Sequence, residues 1–209
     1  SAGIAKVLDD FAAAAQRAVA AGFDVIEIHA AHGYLLHQFL SPLSNARTDG
    51  YGGSLENRAR LLLEVVDRIR GVIPETTALF VRLSGTDWID GGWTVDETAR
   101  VARWAHQRGA DFCDISSGGL AGDIFISVSP GYQVPLTERV RELGGVPASA
   151  VGKITSPDQA ERILAEGRAD AVFLGRELIR DPHFALRAAH ELGAQIDYVP
   201  PPFRSASWA

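Results

Sequence analysis

The stretch that decides the fold of this chain is GFDVIEIHAAHGY, which occupies residues 22–34. The glycine at its start favours the left-handed position that ends a helix. The mostly apolar residues 25–28 predict a short strand that is buried on both faces. Two imidazoles and a phenol follow at residues 29–34, where the strand would pass into a loop. One segment therefore carries both a structural signal and the first candidate site.

The unit of glycine, aspartate and strand occurs again at residues 109–115 and 167–174. An alanine-rich amphipathic segment precedes each copy, so each unit indicates a helix, a glycine turn and a parallel strand, half of a βαβ unit. Strands are predicted at residues 25–30, 79–84, 112–116, 148–152 and 171–175. Helices are predicted at residues 8–21, 55–73, 94–107, 135–143, from 156 onward, and at 177–192 with an interruption at 181–182. This alternation predicts a parallel α/β architecture.

Local signals support the order of these elements. Ser54 and Ser156 are predicted N-caps, and Pro157 fits the first helical position after the second cap. The loops that follow strands are long and rich in polar residues, at residues 31–53, 85–92 and 117–133, whereas the loops that precede strands are short. Function is therefore expected at the carboxyl edge of the strands, as in barrels and doubly wound sheets.

The composition restricts the class of protein. The 209 residues are 46% hydrophobic, which suffices for one sizeable domain. A net charge of −6 gives no basic surface for nucleic acid, and the apolar runs are too short to span a membrane. The single cysteine, Cys113, excludes a disulfide framework and, without a signal peptide, predicts a cytoplasmic protein. The absence of methionine predicts a processed chain or a fragment.

The residues His29, His32 and Tyr34 suit one kind of chemistry. Imidazole N–H groups can hold an oxygen that gains negative charge, and a nearby phenol can give up a proton. That combination would polarise a carbonyl group and protonate a carbon conjugated to it. The alternatives are a buried structural histidine beside ordinary loop residues, or a metal site, for which no cysteine or acidic cluster lies nearby. Spacing alone leaves the structural and catalytic interpretations open.

Two late strands end in a glycine followed by a cation, Gly152-Lys153 and Gly175-Arg176. In barrels, the loops after the last two strands often bind phosphate through backbone N–H groups and helix N-termini. Arg176 would add a fixed positive fork. The alternative is that Gly175 only permits a tight turn and that Arg176 is solvated.

Arg82 lies within the otherwise apolar run of residues 79–84. A buried arginine needs an anionic or hydrogen-bond-accepting partner. That partner could be a protein carboxylate such as Glu27 on a facing strand, or the electron-rich edge of a cofactor ring.

Together these features resemble the old yellow enzyme family of flavin-dependent ene-reductases. The similarity covers nearly the whole chain and is strongest in DVIEIHAAHGYLL at residues 24–36, FLSP at 39–42, NARTD at 45–49, YGGS at 51–54 and ENR at 56–58. The HAAH form of the motif resembles the bacterial thermophilic-like branch of the family.

The resemblance implies a (β/α)8 barrel that holds FMN at its carboxyl-terminal mouth and takes hydride from NADPH or NADH. It implies that His29 and His32 bind the carbonyl oxygen or nitro group of an activated alkene, and that Tyr34 protonates the α-carbon. Arg82 would lie at the flavin edge, where it would stabilise the reduced, anionic flavin. The phosphate-binding turns would be formed by Gly152, Lys153 (mainly through its backbone), Gly175 and Arg176.

The resemblance begins partway through the family pattern, so this chain would supply about strands 4–8 of the barrel as residues 1–198, followed by a tail at 199–209. Arg204 in the tail is the candidate for an arginine that reaches a neighbouring subunit's substrate site; a disordered tail is the alternative. A homo-oligomer, or a partner segment that supplies the missing strands, is therefore expected.

Five strands of eight would leave two unpaired edges and an uncovered barrel interior beside Ile28, Val81 and Ile115. We therefore expect the chain alone to be unstable or to need such a partner. Two other functions stay open: a flavin-free isomerase or lyase on a phosphate-binding barrel, and an inactive barrel fragment.

Overall fold

The computed structural model describes residues 2–122, 124–196 and 198–206, which form one parallel sheet flanked by helices. The strands are β1 Val25–Ala30, β2 Ala78–Ser84, β3 Phe112–Ser116, β4 Ala148–Val151 and β5 Ala171–Phe173. They pair in the order β1-β2-β3-β4-β5, and every pair is parallel. Each crossover therefore adds the next strand at the same edge, as in a barrel, whereas a doubly wound sheet reverses its order at a switch point. The predicted parallel α/β architecture is confirmed.

The helices are α1 Ala2–Ala20, α2 Leu35–Leu40, α3 Leu55–Arg70, α4 Val95–Gln107, α5 Val134–Gly144, α6 Pro157–Ala165, α7 Arg176–Arg180 and α8 Phe184–Glu191, followed by a 3-10 helix at Pro201–Ala206. The predicted caps are confirmed, because Ser54 accepts a hydrogen bond from the Asn57 amide and Ser156 from the Gln159 amide. The predicted interruption at 181–182 separates α7 from α8. Helix α2 was not predicted, because six residues are too few to show helical periodicity.

The strands bury only one of their two faces fully, contrary to the sequence prediction. One face, packed under the helices, has residues at most 1% exposed: Ile28, Ala30, Leu79, Val81, Leu83, Cys113, Ile115, Ala148 and Ala150. The opposite face is partly open. Side chains alternate along a strand, so the partly open face carries Val25, Phe80 and Phe112. Val25 is 44% exposed, and the rings of Phe80 and Phe112 stack with centroids 4.8 Å apart. The residues Ile28, Val81 and Ile115 belong to the covered face.

Much of the long sequence motif has a structural role. The Asn45 amide donates to the carbonyls of Phe39 at 2.6 Å and Tyr51 at 2.7 Å, which closes the loop after α2. Arg58, which is 6% exposed, pairs with Glu97 at 2.6 Å and so ties α3 to α4. Buried ionic and amide groups of this kind must be satisfied by specific partners, and here those partners fix the path of the loop.

The two strand edges that were predicted to be unpaired have no partner strand in the described residues, because β1 pairs only with β2 and β5 only with β4. Unpaired strand edges favour association with another chain or segment. The expected dependence on a partner therefore stays a prediction that this geometry supports. Within the described residues, no helix is long and apolar enough to cross a membrane.

Candidate active site

The turn that leaves β1 brings the three candidate catalytic side chains together. His29 lies on the open face of β1, and its ring centroid is 5.4 Å from that of His32 and 5.1 Å from that of Tyr34. The backbone turns sharply, with positive φ values of 58° at His32 and 75° at Gly33. Tyr34 is 63% exposed. Two imidazoles and an accessible phenol thus share one corner of the carboxyl edge.

Two glycines permit this turn to contact the loop that follows β3. A Cβ atom at Gly33 would overlap the carbonyl oxygen of Gly119, and a Cβ atom at Gly119 would overlap the Cα of His32. Both glycines also have positive φ, which other residues adopt only with strain. The position of His32 therefore depends on direct backbone contact between the two loops.

Serines at the ends of β2 and β3 hold His32. Its backbone N–H donates to Ser84 Oγ at 2.9 Å, and its Nε2 lies 2.8 Å from Ser116 Oγ. The Ser84 hydroxyl donates in turn to the Gly118 carbonyl at 2.9 Å. Sequence reasoning missed both serines. Each is the last residue of its strand, so their place at the carboxyl edge was the available signal.

The surroundings keep both histidines neutral near pH 7. Burial, and then the nearby charge of Arg82, lower the pKa of His29 below its ordinary value. The same causes, with further repulsion from His29 and His37, lower the pKa of His32 to about 4. A neutral imidazole carries one N–H donor. Because the Ser116 hydroxyl can either donate to Nε2 or accept from it, this contact is compatible with the proton on either nitrogen of His32.

Arg82 pairs with a carboxylate on the neighbouring strand β3. Its Nε lies 2.8 Å from Oδ2 of Asp114, which is 0% exposed, and the Ser149 hydroxyl donates to the other oxygen of that carboxylate at 2.9 Å. Neither paired atom has a hydrogen bond of good geometry, so the contact is an ion pair. Burial raises the pKa of Asp114, and Arg82 and Ser149 oppose that effect. The suggested partner Glu27 is in register with Phe80 instead, one layer away.

The candidate phosphate-binding residues line one cavity of about 540 Å³, within the range of small-molecule sites. The cavity is lined by His32, Arg82, Ser116, Tyr132, Gln133, Gly152, Lys153, Gly175, Arg176 and Arg180, among others. It therefore joins the histidine turn to both glycine turns. Its cationic lining fits a ligand that has a phosphate at one end and an electron-rich ring at the other, which is the chemistry of FMN.

The two glycine turns differ in detail. Gly152 has a φ of 123°, and a Cβ atom there would lie 2.7 Å from Gln133 Nε2, whereas Gly175 faces open space. Gln133 is 2% exposed and donates to the Val151 carbonyl at 2.8 Å, so this buried side chain holds the backbone next to Gly152 in place. The Lys153 ammonium donates to the Val128 carbonyl at 3.3 Å. Gln133 was not among the predicted residues, because nothing in its sequence context marks it.

Arg204 lies apart from these residues. It is exposed in the 3-10 helix Pro201–Ala206 and does not line the cavity. Its predicted role at a neighbouring subunit stays a prediction. The last three residues of the predicted tail, 207–209, lie outside the described residues. In the part of the chain that the structure describes, no group of three His, Cys, Asp or Glu side chains could hold a metal ion.

The sequence of this chain is similar to those of known flavin oxidoreductases. Residues 1–195 match the family model for the NADH:flavin oxidoreductase / NADH oxidase family. The chain is 50% identical over 193 residues to an NADPH dehydrogenase of Bacillus subtilis (strain 168), a match that covers 92% of this chain and 56% of that protein. The chain spans about half the length of the curated relatives it matches.

Solved structures with a similar fold include a reductase and an old yellow enzyme homologue. A 2-naphthoyl-CoA reductase in complex with 2-naphthoyl-CoA superposes with a TM-score of 0.83 and 33% identity, over 91% of this chain and 29% of that one. An old yellow enzyme homologue from Zymomonas mobilis superposes with a TM-score of 0.74 and 28% identity, over 99% of this chain and 59% of that one.

Proposed function

Because this chain belongs to the NADH:flavin oxidoreductase / NADH oxidase family, we propose that it is the carboxyl-terminal part of an FMN-dependent ene-reductase. The proposed reaction transfers a hydride from NADPH or NADH to the β-carbon of an activated alkene, an α,β-unsaturated carbonyl or nitro compound, and a proton to its α-carbon. The names of the curated relatives favour NADPH as the reductant.

The resemblance to old yellow enzymes that the sequence suggested is confirmed by the family match and by the Zymomonas mobilis neighbour. The five parallel strands correspond to part of the barrel of those enzymes. The division into barrel residues 1–198 and tail residues 199–209, and a cytoplasmic location, stay part of the proposal.

The observation that carries the proposal is a cluster of two neutral imidazoles and an exposed phenol, in which His32 lines the same cavity as Arg82 and the glycine turns. A phosphate-binding barrel without a flavin would need the turns at Gly152 and Gly175. It would not need an arginine in mid-strand or the histidine turn. The inactive-fragment alternative predicts that, in the experiment below, the chain alone retains no flavin band and reduces no alkene.

FMN, when bound, supplies the hydride carrier between nicotinamide and alkene. In the proposal, N–H groups of His29 and His32 donate to the substrate oxygen and stabilise the negative charge that develops there. Tyr34 then delivers the proton from its hydroxyl to the α-carbon. Its exposure places that hydroxyl where a substrate can reach it.

The chain's own residues would also hold the cofactor. Arg82 would face the electron-rich edge of the flavin ring, because it lines the cavity while its Nε pairs with Asp114. Gly152, Lys153, Gly175 and Arg176 would hold the phosphate, with Lys153 contributing its backbone, since its ammonium group is directed to Val128. Arg204 would serve the substrate site of a neighbouring subunit in a homo-oligomer.

The test is to compare two forms of the protein: the chain alone, and the chain joined to the amino-terminal segment of the Bacillus subtilis relative that the match does not cover. After addition of FMN and desalting, each form is examined by visible absorption and then assayed for NADPH-driven reduction of cyclohexenone. We expect the joined form to retain a flavin band and to reduce the alkene.

Substitution of Tyr34→Phe separates the proposed roles. This change should leave the flavin band and the reduction of flavin by NADPH intact but slow alkene reduction by about 10²-fold, the usual scale of lost proton transfer. A joined form that retains no flavin would contradict the cofactor assignment. A flavin-loaded protein that reduces cyclohexenone equally well with either residue would contradict the role of Tyr34.

A further inference from the structure

A buried histidine–aspartate pair lies behind the catalytic turn and has no role in the chemistry described so far. His37 in α2 and Asp87 in the loop after β2 are both 0% exposed. Their side chains meet with His37 Nε2 3.0 Å from Asp87 Oδ1. The angle at this contact is poor for a hydrogen bond, so the attraction is chiefly electrostatic.

The other ring nitrogen of His37 contacts the turn directly. The backbone N–H of Gly33 donates to His37 Nδ1 at 2.8 Å. A nitrogen that accepts this bond carries no proton, so in the neutral ring the proton lies on Nε2, the atom that faces Asp87. The aspartate therefore favours the one tautomer that can hold Gly33.

Asp87 is itself fixed by the loop around it. Its Oδ2 accepts hydrogen bonds from Ser41 Oγ at 2.6 Å and from the Trp93 amide at 2.8 Å. Burial raises the pKa of Asp87, but the contact with His37 and the hydrogen bonds from Ser41 and the Trp93 amide together outweigh it and hold that pKa below its ordinary value. The carboxylate is therefore ionised at neutral pH, and these donors stabilise its charge within the buried network.

We propose that His37 and Asp87 are positioning residues that hold the left-handed turn at His32 and Gly33, and thereby fix the directions of the His32 side chain, which lines the cavity, and of the Tyr34 side chain beside His29. The inference rests on the proposed function. The turn needs support because His32 adopts a φ of 58°, which residues with a side chain rarely adopt. Support from His37 comes at Gly33, between the two side chains that must be aimed.

Two substitutions divide the functions of the imidazole. In His37→Asn the side-chain oxygen can replace Nδ1 as acceptor for Gly33, but the contact to Asp87 is lost. In His37→Gln the amide nitrogen can replace Nε2 as donor to Asp87, but the acceptor for Gly33 is lost. The two variants therefore give opposite results for a positioning role and for a purely structural one.

The measurements use the flavin-loaded protein, either the chain alone or the joined form described above. They are the thermal midpoint, the affinity for a phenol that perturbs the flavin absorption band, and kcat and KM for cyclohexenone. His106→Gln is the matched control, because His106 Nδ1 contacts the Ala110 carbonyl at 2.7 Å at the far end of α4.

A positioning role predicts that His37→Gln lowers kcat and phenol affinity by about tenfold or more, since a displacement of about 1 Å can cost 10²-fold. His37→Asn should stay within about threefold, even though it has the lower thermal midpoint because Asp87 is left without its N–H partner on His37. If losses in activity simply follow the thermal midpoint in both variants, the proposal is overturned.

A measurement on the unsubstituted protein keeps the proposal testable if either variant fails to fold. The ¹⁵N shifts of His37 should report an unprotonated Nδ1 and a protonated Nε2 at neutral pH, and the Gly33 amide should exchange slowly with solvent. A protonated Nδ1 would overturn the proposal. This result does not depend on alkene reduction, so it stays informative even if the proposed function is wrong.

Discussion

At one end of the carboxyl edge, where His29, His32 and Tyr34 meet, side chains from β2, β3 and α2 fix the turn through partly buried hydrogen bonds. At the other end, around the Gly152 and Gly175 turns, fewer buried residues support the chain. We call these the substrate end and the phosphate end.

The phosphate end has little core beneath it. All three residues of β5 are only half-buried, and α7 contains no buried residue. A small separate cluster that includes Val134, Ala150 and Ile163 supports it, whereas the large core lies under β1 to β4. The difference indicates that this chain preorganises the substrate end by itself, while the phosphate end depends on its ligand or on strands next to β5.

The largest expected effect comes from Arg82, which lies between the two ends. Substitution of Arg82→Leu leaves the Asp114 carboxylate buried without its cation, which should lower the free energy of unfolding by about 3–5 kcal/mol. Urea denaturation measures this loss. The double substitution Arg82→Leu with Asp114→Leu should recover most of it, since an apolar pair carries no buried charge. A double variant as unstable as the single one would show that the ion pair is not the cause.

The two glycine turns of the phosphate end should respond differently. Gly152→Ala places a Cβ against Gln133 at a positive φ, so it should lower the free energy of unfolding by about 1–3 kcal/mol. Gly175→Ala enters open space at a negative φ and should change it by less than about 0.5 kcal/mol. Thermal unfolding of the two matched variants tests this. Equal losses would mean that the Gly175 turn is as constrained as the Gly152 turn.

The most gradual expected effect, spread over more than two pH units, is a dependence of stability on pH at the substrate end. The pKa of His32 is about 4 in the folded chain, against an ordinary value of 6.5, so the unfolded state binds the proton more readily. Stability from this group is therefore complete above pH 6.5 and falls as the pH is lowered from 6.5 towards 4. His32→Gln should show a shallower fall in urea midpoint across this window. An identical slope in both proteins would contradict the assignment to His32.

The sequence predicted the architecture well because its signals are local. Glycine turns before the repeated strands, the caps at Ser54 and Ser156, and the short apolar runs each depend on neighbouring residues only. The predictions that failed concern position relative to other elements. The burial of both strand faces was expected from apolar runs, yet the face with Glu27, Phe80 and Phe112 is only partly covered by the described residues.

In the candidate site, too, local signals could be predicted and contacts with other elements could not. The motif that contains His29, His32 and Tyr34 is continuous in sequence, so its residue types alone suggest the chemistry. Gln133 and Asp87 could not be predicted, because they have ordinary sequence contexts. Ser84 and Ser116 had one signal, their position as the last residues of predicted strands.

By itself, the sequence determined the order of helices and strands, the position of the site at the carboxyl edge and the types of side chain that it offers. Only the tertiary structure decided which residues support those side chains. It placed Asp114 rather than Glu27 beside Arg82, Ser116 beside His32, and Asp87 behind His37. The reason is physical: these contacts join residues that are distant in sequence, and they follow from strand register and loop packing, which no single segment encodes.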